Sequence, residues 1–206
     1  IKKTIKYFYF AGGEPLIMDG HYKLLKWLID NNKTDVELTY NTNLSTLTYK
    51  HHNIFDLWER FEKISLWPSI DGYEKHCAYS RTNFNWDTFE HNLSKVKKYV
   101  STISCTTSIY SILIGHMKSY GISTYLSILD TPTYFDMRLL PDNIKNKINK
   151  KFDTVKRKLI LNTSELENID KNLSYLNKSI INKNILLKKF KQYNNEVDKL
   201  NNTSFI

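Results

Sequence analysis

Apolar strands alternating with amphipathic helices over roughly the first 130 residues predict an α/β fold built from parallel βαβ units. Two further observations point the same way. Polar and glycine-containing stretches fall at the carboxyl ends of the strands: Gly12-Gly13-Glu14, Asn41-Thr42-Asn43, Ser69-Ile70-Asp71-Gly72 and Asp130. In parallel α/β folds that is where ligands bind. After Leu140-Pro141 the pattern changes to helical spacing alone.

The first strand is Ile5 to Phe10, read as buried on both faces because it is short and aromatic-rich. Gly12 and Gly13 then reach backbone angles other residues avoid, and Pro15 fixes its own φ while holding Glu14 extended. Tyr22, Leu25, Leu28 and Ile29 make one face of a helix that ends at Asn31-Asn32-Lys33. Val36, Leu38 and Tyr40 alternate with polar residues as a second strand. Residues 45–53 read as a Thr- and His-rich loop, and Phe55 to Phe61 as a short helix. Ile64 to Ile70 is a third strand, expected to fray or bulge at Pro68 for want of a ladder donor. Trp86 to Val100 reads as a helix, with Asp87 suited to its positive end. Strands at 101–109 and 124–129 flank a short helix ending at Gly121. Pro141 opens a helix carrying Ile144, Ile148, Phe152, Val155 and Leu159, and more helix follows a break near Asn162. Tyr9, Trp27, Trp58 and Trp86 are read as core, and His21 and His91 as helix surface.

The chain has 206 residues, 41% hydrophobic and 25% charged, enough for one good core and an appendage. No run approaches the roughly 18 apolar residues of a membrane span. Ile1-Lys2-Lys3 leads into a strand without the apolar stretch of a secretory signal, so a cytoplasmic protein is expected. Cys77 and Cys105 match neither a disulfide framework nor a metal-ligand spacing. The net charge is +9, and from Pro141 onward 14 Lys and Arg stand against 7 Asp and Glu. Those bases are scattered among Asn and Leu without interleaved aromatics, which favours solvated helices over a nucleic-acid surface.

The strand, Gly12-Gly13-Glu14-Pro15 and the following helix together resemble the GGEP element of radical S-adenosylmethionine (SAM) enzymes, especially those with SPASM or twitch extensions. Asn41-Thr42-Asn43 resembles the TN element of the next family strand. Ser69-Ile70-Asp71-Gly72 resembles the family's S-x-D-G strand end, and Arg81 follows twelve residues after Ser69. The resemblance covers about residues 5 to 140. It implies a partial (βα)6 TIM-like barrel over residues 1–140, its first strand missing, and a twitch-type helical extension over 141–206.

On that resemblance the main chain at Gly12, Gly13, Glu14 and Pro15 would hold the amino group of SAM. Thr42 and Asn43 would flank it, Ser69, Asp71 and Arg81 would meet its carboxylate and ribose, and Leu129 its adenine. A guanidinium fork suits a carboxylate. Asp71 is also a weak candidate for a catalytic acid or base. The family needs a C-x3-C-x2-C motif for a [4Fe–4S] cluster. The chain has none, so the resemblance implies a fragment with its cluster ligands upstream of Ile1, inactive alone. An arginine usual near Asn201 or Asn202 is missing as well. The intact protein would be an oxidoreductase that makes a 5′-deoxyadenosyl radical, served by flavodoxin or ferredoxin, with a peptide or protein as substrate.

Two alternatives stand beside it. One is a non-catalytic barrel relic, or a basic module that binds RNA or an acidic partner through the helices after Pro141. The other is a small metabolic enzyme using His51, His52 or His76, against which no Ser-His-Asp or HExxH arrangement is present. Asp71 and Asp130 read equally as ordinary turn carboxylates.

Overall fold

The computed structural model describes residues 5–72, 74–81, 83–108, 121–201 and 203, without the side chains of residues 75, 76 and 201. The elements in chain order are β1 (Tyr7–Phe10), α1 (Asp19–Asp30), β2 (Glu37–Thr42), β3 (Thr48–Tyr49), β4 (His52–Asn53), α2 (Ile54–Trp58) and β5 (Lys63–Ile70). There follow α3 (Lys75–Ser80), α4 (Trp86–Val96), β6 (Ile103–Thr107), β7 (Thr124–Ile128), α5 (Asp142–Lys158), α6 (Thr163–Leu176) and α7 (Lys183–Asn201). The five main strands form one sheet in the order β1-β2-β5-β6-β7, while β3 and β4 make a small antiparallel hairpin. The fold class is therefore α/β with a mostly parallel sheet. The expected helix before Gly121, the end of the strand at Ile109, the side chain of His76 and the tail at Ser204-Phe205 lie outside the described residues.

Contacts divide the chain into two units, residues 1–70 with 83–104, and residues 71–82 with 105–206. In the first, β1, β2 and β5 are parallel and in register, Phe8 opposite Leu38 opposite Ile64. Side chains alternate across a strand, so one face carries Leu38, Tyr40, Leu66 and Ile70, all fully buried. Helices seal it: Tyr40 meets His21 of α1 and Trp58 of α2, and Tyr22, Leu25 and Leu28 are buried along α1. The other face is open at its flanks. Tyr7, Tyr9, Lys63 and Trp67 are exposed there, the Tyr9 and Trp67 rings lie 6.2 Å apart, and Thr39 on the middle strand is buried. Parallel strands are ordinarily covered on both faces.

That open face corrects several expectations. β1 is a sheet edge with one exposed face, not a strand buried on both, and Tyr9 is not core. Trp27 is exposed on α1, whereas Trp58 and Trp86 are buried as expected. His21 is buried rather than on the helix surface, because it follows the buried Tyr22 stripe onto the β2 side of α1. The 45–53 loop contains the β3–β4 hairpin, turned at Lys50 with φ +54°.

β5 runs through Pro68 unbroken. Alternate residues of a parallel strand bond to alternate flanks. The Leu66 carbonyl accepts from Ser101, so Leu66 and Pro68 face that flank. The absent proline N–H is thus missing from the Ser101 side and not from the β2 ladder.

In the second unit, Ile122, Leu126, Met137, Leu139, Phe152 and Ile169 are buried. Its notable packing is polar. Asn168 of α6 accepts from the Leu126 N–H (2.7 Å) and donates to the Leu126 carbonyl (3.1 Å). Asn172 donates to the same carbonyl and accepts from the Thr107 hydroxyl (2.8 Å). A side-chain amide has the donor and acceptor of a peptide group, so α6 completes the hydrogen bonding of edge strand β7 as another strand would. Asn162 and Glu165 form a capping box that starts α6.

Candidate functional site

In the first unit the carboxyl ends of β1 and β2 are joined by one side chain. Gly12 and Gly13 have φ of +82° and +59°, and a Cβ on either would meet nothing within 4 Å. The glycines are required by dihedral angle, not by lack of room. They turn the chain so that Glu14 points back into the protein, where it is 8% exposed. Its Oε1 accepts from the Leu16 N–H (3.2 Å) and the Thr42 hydroxyl (2.7 Å), and its Oε2 accepts from the Asn43 N–H (2.7 Å). Thr42 Oγ1 also accepts from the Leu44 N–H, and Asn43 Oδ1 from the Ser45 N–H. Pro15 opens a single 3-10 turn capped by Glu14, and the Tyr22 hydroxyl donates to the Leu16 carbonyl.

This arrangement fixes what the turn can do. Three internal donors engage both oxygens of Glu14, so it serves as a brace. The exposed part is the main chain of Gly12 and Gly13, whose carbonyls accept no hydrogen bond from a described residue. The structure brings Gly12, Gly13, Glu14, Pro15, Thr42 and Asn43 together, as expected from their positions at strand ends. Ser69, also at a strand end, donates to Asn41 Oδ1 (3.0 Å) on the open face of the sheet.

The second unit holds the other candidates. Arg81 follows α3 and its Nε donates to Asp71 Oδ2 at 2.5 Å. Both, together with Leu129, line a cavity of about 440 Å³. Helix α7 supplies Tyr193, Val197 and Leu200 to its wall, and the Tyr79 hydroxyl donates to Asn194 Oδ1 of α7 (3.0 Å). The sequence offered no signal for α3, or for α7 as a cavity wall. Asp130 is exposed.

Among the described residues the histidine side chains do not assemble a catalytic group. The His51 and His52 rings meet at a tilt of 51°, and His52 stacks on Tyr22, beside the hairpin. His21 is held by Tyr40, whose hydroxyl lies 3.0 Å from Nε2, and burial pushes its imidazole down to about 4. Among the described residues no three His, Cys, Asp or Glu side chains are grouped to hold a metal. Cys77 and Cys105 are both buried, and burial pushes the Cys77 thiol up. The two cysteines of this chain therefore do not fit a [4Fe–4S] cluster. Among the described residues no helix is long and apolar enough to cross a membrane. Among the basic residues after Pro141, Lys156 is paired with Asp170, and just before that proline Arg138 is paired with the buried Asp136.

No family model matches the chain, and no curated protein matches it.

Proposed function

We propose that this chain carries the SAM-binding part of a radical SAM oxidoreductase, its strands belonging to a partial (βα)6 barrel. The observation that carries the reading is the exposed Gly12-Gly13 main chain, braced by Glu14 onto Thr42 and Asn43. Unengaged carbonyls at an exposed, braced turn are acceptors for an ammonium group, and the brace holds them without reorganisation on binding. The partly exposed face of the β1-β2-β5 sheet supports the barrel: a parallel sheet lined on that side with Tyr, Trp, Ser, Thr and Asn is suited to facing an interior ligand space.

In that class of enzyme, SAM and a reduced iron–sulfur cluster together supply a 5′-deoxyadenosyl radical that removes a hydrogen atom from the substrate. This chain's residues would bind and orient SAM: Gly12 and Gly13 at its amino group, with Thr42, Asn43 and Ser69 holding the adjoining strand ends. Its cysteines hold no cluster, so SAM binding is assigned to the chain and turnover is not. A peptide substrate and a flavodoxin or ferredoxin donor belong to the same proposal.

Equilibrium dialysis with labelled SAM tests it. Saturable binding is expected, weakened at least tenfold by Gly13→Val, which the +59° backbone cannot accommodate. Absence of saturable SAM binding to the unmodified chain would overturn the proposal.

A further inference from the structure

The cavity of the second unit has its own chemistry, independent of the SAM reading. Arg81 engages Asp71 through Nε alone, and its two terminal nitrogens make no hydrogen bond to a described residue. They form an unengaged fork of the kind that takes a carboxylate with two parallel bonds. Among the described residues the Asp71 carboxylate in turn accepts only from Arg81, and its Oδ1 is shielded from water without a partner. A carboxylate so poorly satisfied is stabilised by a nearby cation. The pair is neutral overall but separated in charge. A dianion such as phosphate would face the Asp71 carboxylate, and a simple amine would face the Arg81 guanidinium. A ligand bearing both charges on adjacent atoms complements the pair.

Hydroxyl-bearing residues Tyr79, Ser80, Thr106 and Ser108 share the lining with an apolar and aromatic side formed by Leu129, Val197, Phe135 and Tyr193, the last two rings edge to face at 5.0 Å. A volume of about 440 Å³ is in the range of small-molecule sites.

We infer that this cavity binds a free α-amino acid with an aromatic or large apolar side chain, its carboxylate on the Arg81 fork, its ammonium beside Asp71 and its side chain against Leu129, Phe135 and Tyr193. On this assignment Arg81, Asp71 and Leu129 serve the amino acid and leave the set of SAM contacts that the family resemblance gives them. The α7 helix, through Tyr193 and Val197, selects the side chain.

The test is calorimetric titration of the full chain with L-phenylalanine, 2-phenylethylamine, 3-phenylpropionate and SAM. L-phenylalanine is expected to bind saturably, and each analogue lacking one charge at least tenfold more weakly. Arg81→Gln should reduce L-phenylalanine to the level of 2-phenylethylamine. If that variant fails to fold, the analogue series on the unmodified chain decides. Three results overturn the inference: no saturable L-phenylalanine binding up to about 10 mM, equal binding of L-phenylalanine and 3-phenylpropionate, or competitive displacement of L-phenylalanine by SAM. Gly13→Val separates the two proposals, because it should remove SAM binding and leave L-phenylalanine binding intact.

Discussion

Replacing Glu14 tests the brace on which the SAM turn depends. Three hydrogen bonds converge on its carboxylate, two of them from backbone N–H groups with no other partner in sight. Glutamine has the same shape but one acceptor oxygen. With that oxygen at the Oε1 position, the bonds from Leu16 and Thr42 survive in weaker, uncharged form. The amide nitrogen then meets the Asn43 N–H donor to donor, at a separation of 2.7 Å in the parent. A buried donor left unsatisfied costs about 1–3 kcal/mol, and a bond to a charged group about twice a neutral one. Glu14→Gln should therefore destabilise the first unit by about 2–3 kcal/mol, and Glu14→Ala by about 3–4 kcal/mol. Thr42→Val, which removes one of the three bonds, should cost about 1–2 kcal/mol. Urea unfolding followed by fluorescence of the buried Trp58 gives the comparison, with a lower midpoint at unchanged slope. SAM affinity should fall in parallel. A Glu14→Gln protein within about 0.5 kcal/mol of the parent would refute the idea that the carboxylate holds the two strand ends together.

Three further outcomes are expected. The His21 imidazole titrates near 4 when folded and near 6.5 when unfolded, so the unfolded chain binds the proton first as pH falls. Stability should be full above about pH 6.5 and drop by about 3 kcal/mol towards pH 4, a slope that His21→Gln should flatten in urea titrations at several pH values. Asn168→Leu keeps the volume of the side chain but leaves the Leu126 N–H without its partner and the carbonyl with only Asn172. It should cost about 2–3 kcal/mol and raise the amide exchange rate of Leu126 selectively; unchanged exchange would argue against the strand-like role of Asn168. Asp136 is buried and accepts from Arg138 and the Tyr175 hydroxyl (2.6 Å). Asp136→Asn should lower thermal stability by about 3 kcal/mol, because it leaves the Arg138 guanidinium without its counter-charge.

The sequence makes the strands legible wherever one face is buried, because alternation of Leu38 and Tyr40 with polar neighbours has only one structural reading. It also makes the site's membership legible in the first unit, since glycines, Thr42 and Asn43 stand at strand ends. The direction of Glu14 is not legible. Nothing local to the sequence announces that the left-handed turn sends it inward onto residues 28 and 29 positions away. His21 is misplaced for a related reason: its burial comes from Phe10 and Tyr40, on different strands. Tyr9 and Trp27 are misplaced because large aromatics are assigned to a core by default, and the open face of the sheet has no local signature. Asn168 and Asn172 read as solvated helix residues, since nothing nearby in the sequence announces the strand edge they cover.

The covering of β7 by Asn168 and Asn172 bears on how the protein behaves in concentrated solution. An uncapped strand edge is a template for another chain. The two asparagines occupy the Leu126 peptide group, so a second molecule would have to unseat α6 before adding to that edge. The edge of β1 has no such guard among the described residues, and it displays Tyr7 and Tyr9. Self-association should therefore begin at β1, and a lysine in place of Tyr7 or Tyr9 should delay it more than any charge placed on β7.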